Sequence, residues 1–448
     1  MKRLTVAAGL AALILTPVPA VAQDPGRMDA VVQDDARKGE FMGAVLVARD
    51  GDVLLDKGYG SANLEWKIAN DGATKFRLGS VTKQFTAVAI LLLQERGKLR
   101  IDAPVKTYLP DAPAAWDKVT LHHLLTHTSG IPNFTGFPEY EKLKTLPATH
   151  ASLIARFSDK PLEFAPGEKF AYSNSGYVLL SAIVEKVSGQ SYAEFVASNL
   201  FKPLGMDDTG YDSHAAIIPR RASGYAPAKD GPVNADYVDM TIPQGAGALY
   251  STTRDLLKWQ RGLYGGKLLK PTSLTAFRTP YKNGYALGIA VEAKDGVTTI
   301  EHGGGIEGFN TSLAYDPDRK ITVVVLGNLN GPSPGKLSKS LMTLARGGTV
   351  VLPAERKAAT IAPEQLAQYE GVYELAPTFA ITMRVKDGKL MTQATGQPEF
   401  ELFPESKDRF FLKVVDAQVD FTRDAAGKVT GLILHQGGRS MPAPRKQP

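Results

Sequence analysis

The stretch that decides the fold is FRLGSVTKQFTAVAILLLQERG, which runs from Phe76 to Gly97. Its residues from Phe85 to Leu93 are almost all apolar, which predicts a helix buried on most sides rather than an amphipathic surface helix. The run is too short to span a bilayer. We therefore expect this helix to be the element around which the rest of the chain is organised.

The start of this helix carries a serine and a lysine that suit nucleophilic chemistry. Ser80 lies where an extended segment turns into the helix, so unpaired N–H groups and the positive dipole end there would stabilise an oxyanion. Lys83 lies three residues further on, on the same helix face. A partly desolvated lysine can lose its charge and accept the proton of a serine hydroxyl. The pair is a candidate nucleophile and base.

The same Ser-x-x-Lys spacing recurs at Ser333 and Lys336, so the motif alone is a weak signal. This second pair lies in GPSPGK, whose proline and glycine residues predict a loop with no helix to hold it. What favours Ser80 is its place before a buried helix, together with two later clusters of residues.

The first later cluster is Tyr172-Ser173-Asn174, directly before a predicted helix. Residues i and i+2 of an extended segment point the same way, so Tyr172 and Asn174 can face one pocket. A tyrosine hydroxyl near a cationic Lys83 is expected to have a lowered pKa and to transfer protons. The Asn174 amide can bind a substrate amide. A helix-capping asparagine beside a buried tyrosine is the alternative.

The second later cluster is Glu301-His302-Gly303-Gly304-Gly305, predicted at the end of a strand. Consecutive glycines there let a substrate backbone approach closely and leave N–H groups free to bind it. We therefore expect His302, Gly303 and Gly304 to contact substrate. A glycine turn with a chance histidine is the alternative.

Three histidines, His122, His123 and His127, raise the alternative of a zinc site, because the last two are four residues apart. No glutamate stands in an HExxH arrangement and no third ligand is apparent nearby, so we expect neither a metal nor a cofactor. These histidines are instead predicted to hold a loop by hydrogen bonds.

The N-terminal residues indicate export. Lys2 and Arg3, an apolar run and a small-residue site at 20–22 are typical of a secretory signal peptide cleaved after Ala22. An uncleaved anchor is the alternative, although the run is shorter than the about 20 residues of a membrane span. We expect a periplasmic or secreted protein without a stable membrane anchor. The absence of cysteine excludes disulfides and a lipid-accepting thiol.

Composition limits the possible partners. The 448 residues are 22% charged and 43% apolar, typical of a soluble globular protein. The net charge is +6, but the sequence has no cluster of lysine and arginine residues with interleaved aromatics. Nucleic acid is therefore not an expected partner. A small molecule or a peptide, such as a peptidoglycan fragment, is the expected substrate.

The order of predicted elements indicates an α+β fold. Residues 43–63 alternate apolar and polar around Asp50-Gly51, which predicts a hairpin, and strands return between residues 286 and 328 after a helical middle. This pattern predicts one antiparallel sheet flanked by helices, with a helical insertion, over residues 23–346. Residues 347–362 look like a linker, and seven short strands in 363–448 predict a small antiparallel β domain.

Together, the three clusters resemble the penicillin-recognising serine hydrolases, and within them the class C β-lactamase-like peptidases and esterases. The supporting stretches are FRLGSVTKQFTA, LHHLLTHTSGIP, PGEKFAYSNSGY, FKPLGMDDTGY and GALYSTTRDLLKW. The resemblance implies a β-lactamase/transpeptidase-like fold, with Ser80 as the acylated nucleophile. It implies Lys83 and Tyr172 as the proton-transfer pair and Asn174 as a substrate-amide contact. It also implies an oxyanion hole formed by the N–H groups of Ser80 and Gly305.

The chain departs from that family at His302-Gly303-Gly304, where such β-lactamases usually carry Lys-Thr-Gly. A neutral imidazole attracts a substrate carboxylate less than an ammonium does, which argues against efficient β-lactam hydrolysis. The His-x-Gly form is similar to that of D-aminopeptidases and related D-peptidases, which also carry C-terminal antiparallel β-barrels. The second unit resembles such a lipocalin-like appendage in its strand pattern.

These observations predict an exported serine hydrolase that cleaves an amide or ester bond through a Ser80 acyl-enzyme. The expected substrate is a D-amino-acid peptide, as for a D-aminopeptidase or a D,D-carboxypeptidase, or a small ester. A β-lactamase is the alternative activity. A non-catalytic peptidoglycan-binding or penicillin-binding sensor is the alternative of another class, but a binder has no need of Ser80, Lys83 and Tyr172 together.

Overall fold

The computed structural model describes residues 24–436 and 439–446. The predicted signal peptide lies outside the described residues. Within these ranges, no helix is long and apolar enough to cross a membrane.

The centre of the larger unit is a six-stranded antiparallel sheet. Its strands, in spatial order, are Ala290–Lys294, Val297–Ile306, Phe309–Asp316, Ile321–Gly327, Gly43–Arg49 and Asp52–Tyr59. Arg49 pairs with Asp52 across the hairpin turn, as predicted, and with Ile321 on its other side. The first two strands of the chain therefore complete a sheet whose other strands come more than two hundred residues later.

Both faces of this sheet are covered because its strands are apolar on both sides. Val45 and Val323 face one core cluster, which the helices Pro25–Arg37 and Ser333–Ala345 complete. Leu46 faces the other and larger cluster, which includes the helix Thr82–Glu95 and the helical insertion. The α+β architecture predicted from the order of elements is confirmed.

The helix Thr82–Glu95, here called the Ser80 helix, is buried as its apolar run predicts. Its residues Phe85 and Ala87–Leu91 have no exposed surface. The Phe85 ring lies 4.0 Å from that of Trp259 and 5.7 Å from that of Phe201, measured between centroids. The Ser80 helix is thus held by side chains from distant parts of the chain.

The region between the early and late strands is mainly helical. Its helices are Leu121–Leu125, Tyr140–Leu143, His150–Ile154, Asn174–Ser188, Tyr192–Val196, Lys202–Leu204, Gln244–Gly247, Thr253–Tyr264 and Pro271–Arg278. Short strands form three small sheets: Ser61–Asn63 with Ile68–Ala69, Phe76–Arg77 with Leu249–Ser251 and Gly210–Tyr211, and Tyr225–Ala228 with Gly231–Asn234. Leu78 donates its N–H to the Leu249 carbonyl and so fixes the approach to Ser80.

The C-terminal unit is an eight-stranded antiparallel sheet in sequence order, preceded by the short helix Pro363–Leu366. Its strands are Gly371–Ala376, Phe379–Lys386, Lys389–Ala394, Glu399–Pro404, Arg409–Phe411, Ala417–Arg423, Val429–Gln436 and Arg439–Pro444. Bridging between Tyr373 and Arg445 brings the first and last strands together, so the sheet is barrel-like. The eighth strand was missed in the sequence because Pro442 and Pro444 are disfavoured within strands.

The predicted loop at Ser333 and Lys336 is wrong, because the helix Ser333–Ala345 begins there. Pro334 lies in the first turn, where a missing N–H costs no hydrogen bond. Lys336 lies 3.4 Å from a carboxylate oxygen of Asp35 and 3.1 Å from one of Asp416, and these carboxylates raise its pKa. Ser333 and Lys336 are therefore excluded as a nucleophile and base because the lysine is charged, not because a helix is missing.

Replacing Phe85 by alanine is expected to lower the free energy of unfolding by about 3–5 kcal/mol, because the side chain leaves a cavity against Trp259. Chemical denaturation followed by tryptophan fluorescence measures this change. Trp66→Ala is the control, since Trp66 is 80% exposed and its loss is expected to change stability by less than about 0.5 kcal/mol. Equal effects of the two substitutions would contradict the central position of the Ser80 helix.

Candidate active site

Ser80 lies in a single turn of 3₁₀ helix, Gly79–Val81, which leads directly into the Ser80 helix. Gly79 has φ of +52°, in the left-handed region, and a Cβ there would lie 2.8 Å from the Gly305 nitrogen. Glycine at position 79 therefore lets the turn touch the strand that carries Gly305. The Ser80 N–H lies in the first turn, where no carbonyl of the helix can accept it.

The Lys83 amine is buried at the centre of the site. Its Nζ lies 2.9 Å from Ser80 Oγ, 2.8 Å from Asn174 Oδ1 and 2.9 Å from the Ala246 carbonyl oxygen. The residue has no exposed surface, and burial holds the pKa of Lys83 well below its ordinary value. Burial therefore favours the neutral form of the Lys83 amine, as the first expectation from the sequence requires.

The three contacts of Lys83 match the hydrogen-bonding capacity of a neutral amine. Such an amine has two N–H donors and one lone pair. Asn174 Oδ1 and the Ala246 carbonyl can only accept, so they use both donors. In the neutral form the lone pair is then left facing Ser80, where it can accept the proton of the hydroxyl. The arrangement thus aims the serine proton at the base before any substrate is present.

Tyr172 lies over the same amine, with Lys83 Nζ 4.9 Å from its ring centroid, and its hydroxyl interacts with Ser80. The prediction of a lowered tyrosine pKa is wrong: burial raises the pKa of Tyr172. The prediction assumed a cationic Lys83, but burial disfavours the charged forms of both the lysine and the tyrosine. Tyr172 is therefore a protonated phenol at neutral pH.

Asn174 is the first residue of the helix Asn174–Ser188 and does not act as a side-chain cap. Its Oδ1 accepts from Lys83, and its Nδ2 donates to Thr135 Oγ1 at 3.1 Å. One N–H of its amide remains for a substrate. The structure thus places Asn174 beside Lys83. The hydrogen bonds of its amide mainly hold the side chain and orient the Lys83 amine.

The motif lies at the end of a strand, as predicted, but the strand continues through the glycines as far as Ile306. Val297–Ile306 pairs with the next strand through Gly303, Gly304 and Gly305, opposite Ser312, Thr311 and Asn310. A Cβ on Gly304 would lie 2.0 Å from the Leu78 carbonyl oxygen. Gly304 is therefore required by the approach of the protein's own Ser80 turn.

A cavity of about 440 Å³ opens beside Ser80. Its walls include Gly79, Asn174 and Gly305, whereas His302, Gly303 and Gly304 do not line it. Further lining residues that the sequence did not single out are Phe134, Thr135, Tyr140, Val238, Ile242, Ile306, Glu307 and Asn330. The cavity brings together Ser80 and Gly305, the two residues expected to form the oxyanion hole.

Comparison with known proteins identifies the family of the chain. Residues 28–345 match the β-lactamase family, and residues 355–446 match a domain of unknown function, DUF3471. The chain belongs to the β-lactamase family. It is 30% identical to penicillin-binding protein 4* of Bacillus subtilis, over 91% of this chain and 96% of that protein.

Solved structures agree with this membership. The octameric penicillin-binding protein homologue from Pyrococcus abyssi has a TM-score of 0.69 and 27% identity, covering 94% of this chain and 100% of that one. A D-stereospecific amidohydrolase from Streptomyces sp. has a TM-score of 0.60 and 25% identity, covering 68% of this chain and 94% of that one. This β-lactamase family member is a serine hydrolase.

In this family member, His302 belongs to a buried hydrogen-bond chain. Ser173 donates its N–H to His127 Nδ1 at 3.1 Å, and His127 Nε2 lies 3.2 Å from Tyr285 Oη. Tyr285 Oη in turn lies 2.9 Å from His302 Nε2. Burial and nearby Lys83 lower the pKa of His302 to about 4, so the imidazole is neutral, as expected, but buried away from the cavity.

Two of the three histidines considered as zinc ligands hold their segments by hydrogen bonds. His127 holds the segment that presents Tyr172, and His123 Nδ1 accepts the Thr120 N–H at the start of a helix. His123 and His127 thus have the loop-holding role expected from the sequence. Tyr285 was missed because it stands in no motif, and only tertiary packing brings it between His127 and His302.

Gly304→Ala and Gly303→Ala form a matched pair that tests the contact between strand and Ser80 turn. Alanine at 304 must displace the Leu78 carbonyl, so we expect a loss of about 1–3 kcal/mol in stability and of most activity. Alanine at 303 meets only the Thr311 carbonyl oxygen, at 3.7 Å, and should be tolerated. Thermal unfolding and fluorophosphonate labelling of Ser80 measure both effects. Equal tolerance of the two alanines would contradict the assigned contact.

Proposed function

We propose that this chain hydrolyses an amide or ester through an acyl-enzyme on Ser80. The observation that carries the proposal is the fully buried Lys83 amine, whose Nζ lies 2.9 Å from Ser80 Oγ and whose pKa is lowered by burial. Lys83 takes the hydroxyl proton as Oγ attacks the substrate carbonyl carbon. The carbonyl oxygen becomes an oxyanion, which the N–H groups of Ser80 and Gly305 stabilise.

Tyr172 completes the first half of the reaction. Its protonated hydroxyl gives a proton to the leaving nitrogen or oxygen as the bond to the carbonyl carbon breaks, and the ammonium of Lys83 returns a proton to Tyr172. Lys83 is then neutral again. In the second half it takes a proton from water, which attacks the acyl carbon, and the proton goes to Ser80 Oγ as the acid product leaves.

We propose D-amino-acid amides and peptides as the substrate class. The likeness to a D-stereospecific amidohydrolase supports this choice. The neutral, buried His302 supports it over β-lactam hydrolysis, because no cation stands there to hold a β-lactam carboxylate. β-Lactamase remains the second candidate on family grounds.

We further propose that the protein is exported, so that peptidoglycan fragments containing D-amino acids are within its reach. The support is the signal-peptide pattern of residues 1–22. A non-catalytic sensor is the competing proposal, and an activated Ser80 would argue against it.

Intact-mass spectrometry with a fluorophosphonate tests the nucleophile. We expect one adduct on the wild-type protein and none on Ser80→Ala. Ser333→Ala is the matched control, since it removes the other Ser-x-x-Lys serine, and it should label like the wild type. Labelling of Ser80→Ala would show that another residue is the nucleophile. An unlabelled wild type would favour the sensor.

The pH dependence of labelling tests the neutral Lys83. Because its pKa is lowered, the amine is active above that pKa and loses activity as pH falls through it. The labelling rate should therefore level off well below the pH at which an ordinary lysine, with a pKa of about 10.4, becomes neutral. Lys83→Met should slow labelling by about 10²–10⁴-fold. A rate that rises tenfold per pH unit up to about pH 10 would contradict a neutral Lys83.

A further inference from the structure

The cavity beside Ser80 has an uneven distribution of charge. Among its described lining residues Glu307 is the charged one, and no lysine or arginine lines it. Lys83 contacts Ser80 but does not line the cavity, and burial lowers the pKa of its amine. A substrate in the cavity therefore meets a carboxylate and no lining cation.

Glu307 lies close in the chain to Gly305, whose N–H is expected to bind the reacting carbonyl oxygen. It lies two residues after Gly305, at the turn that joins the strand Val297–Ile306 to the strand Phe309–Asp316. The Cα atoms of Gly305 and Glu307 therefore lie at most about 7 Å apart, since each residue spans no more than about 3.6 Å. This separation fits an amino acid whose carbonyl oxygen is held at Gly305 and whose α-nitrogen reaches the Glu307 side chain.

The turn that carries Glu307 is fixed. The next residue, Gly308, has φ of +81° and donates its N–H to Asn330 Oδ1 at 2.7 Å. The Glu307 side chain is only 18% exposed. The carboxylate is therefore held at the cavity wall rather than moving freely in solvent.

The charges around Glu307 leave an excess of negative charge. Lys144 Nζ lies 3.0 Å from Glu307 Oε1, but the same amine also contacts Glu141 at 2.5 Å and Asp236 at 3.8 Å. One cation thus faces three carboxylates. Lys144 is 6% exposed, so its amine stays with these three carboxylates and does not contact a substrate anion.

Cations on the far side of Glu307 are also paired. Arg77 and Arg221 line a neighbouring cavity that shares Glu307 and Asp236, and both contact the buried carboxylate of Asp212. With Arg77, Arg221 and Asp212 included, four carboxylates face three cations. The field at the cavity wall therefore favours a positive group on the substrate.

We propose that Glu307 binds the free α-ammonium group of the substrate's acyl half. The substrate class is then amino acid amides and peptides with a free N-terminus, cleaved after the first residue. Substrates held by a carboxylate, such as carboxypeptidase substrates and penicillins, are disfavoured because that carboxylate would face Glu307 without a cation. This assignment rests on the proposed acyl-enzyme function and deepens it.

Binding to Ser80→Ala protein tests the proposal without requiring turnover. Calorimetry would compare D-phenylalanine amide with N-acetyl-D-phenylalanine amide, which lacks the ammonium. We expect the free amine to bind at least tenfold more tightly at pH 6.5. Its advantage should fall as the amine loses its proton, near the α-amino pKa of about 8.

Two carboxylate variants separate recognition from packing. Glu307→Gln in the Ser80→Ala background keeps the side-chain shape and is expected to remove the tenfold preference. Glu141→Gln is the matched control, because Glu141 contacts the same Lys144 but does not line the cavity, and the preference should survive. Melting temperatures confirm that both variants are folded.

The outcomes distinguish this proposal from the acyl-enzyme proposal. Equal binding of the two amides, no measurable binding of either, or a preference unaffected by Glu307→Gln would overturn the role of Glu307. A preference that depends on Glu307, in a protein whose wild type is not labelled by fluorophosphonate, would uphold the ammonium site and overturn the acyl-enzyme.

Discussion

The structure depends on one constraint, the burial of the Lys83 amine without a carboxylate partner. A charged lysine there would cost several kcal/mol, so the amine gives up its proton and becomes a base. Three polar contacts within 2.9 Å fix its position. They come from three segments: Ser80 lies in the turn before the Ser80 helix, Asn174 begins the helix Asn174–Ser188, and Ala246 lies in the helix Gln244–Gly247.

The fold supplies this burial by surrounding the Ser80 helix on every side. The six-stranded sheet places Gly304 and Gly305 against the turn that carries Ser80, while Phe85 and Trp259 anchor the helix deeper in the core. Behind Tyr172, the neutral chain through His127, Tyr285 and His302 satisfies buried polar groups without adding charge near Lys83. Catalytic and structural requirements therefore coincide at this site.

The features predicted most reliably were those that depend on residues close together in the sequence. The apolar run after Phe85 specified a buried helix, and the spacing of Ser80 and Lys83 placed them on one face. The pKa of Tyr172 could not be predicted from the sequence. It depends on whether Lys83 carries a charge, and that depends on how deeply the fold buries the amine. Gly303 to Gly305 looked like a strand end, since isolated strands disfavour glycine, but pairing with Ser312 to Asn310 overrides that preference. Glu307 carried no motif and became visible only as part of the cavity wall.

The most direct test of a neutral, buried Lys83 is its own titration. Lysine labelled with ¹³C at Cε would be incorporated, and the Lys83 resonance would be assigned by its loss in Lys83→Met. The account predicts a chemical shift typical of a neutral amine at pH 7, with a midpoint well below that of the other lysines. A Lys83 resonance that stays protonated to about pH 10, as in an ordinary lysine, would contradict it.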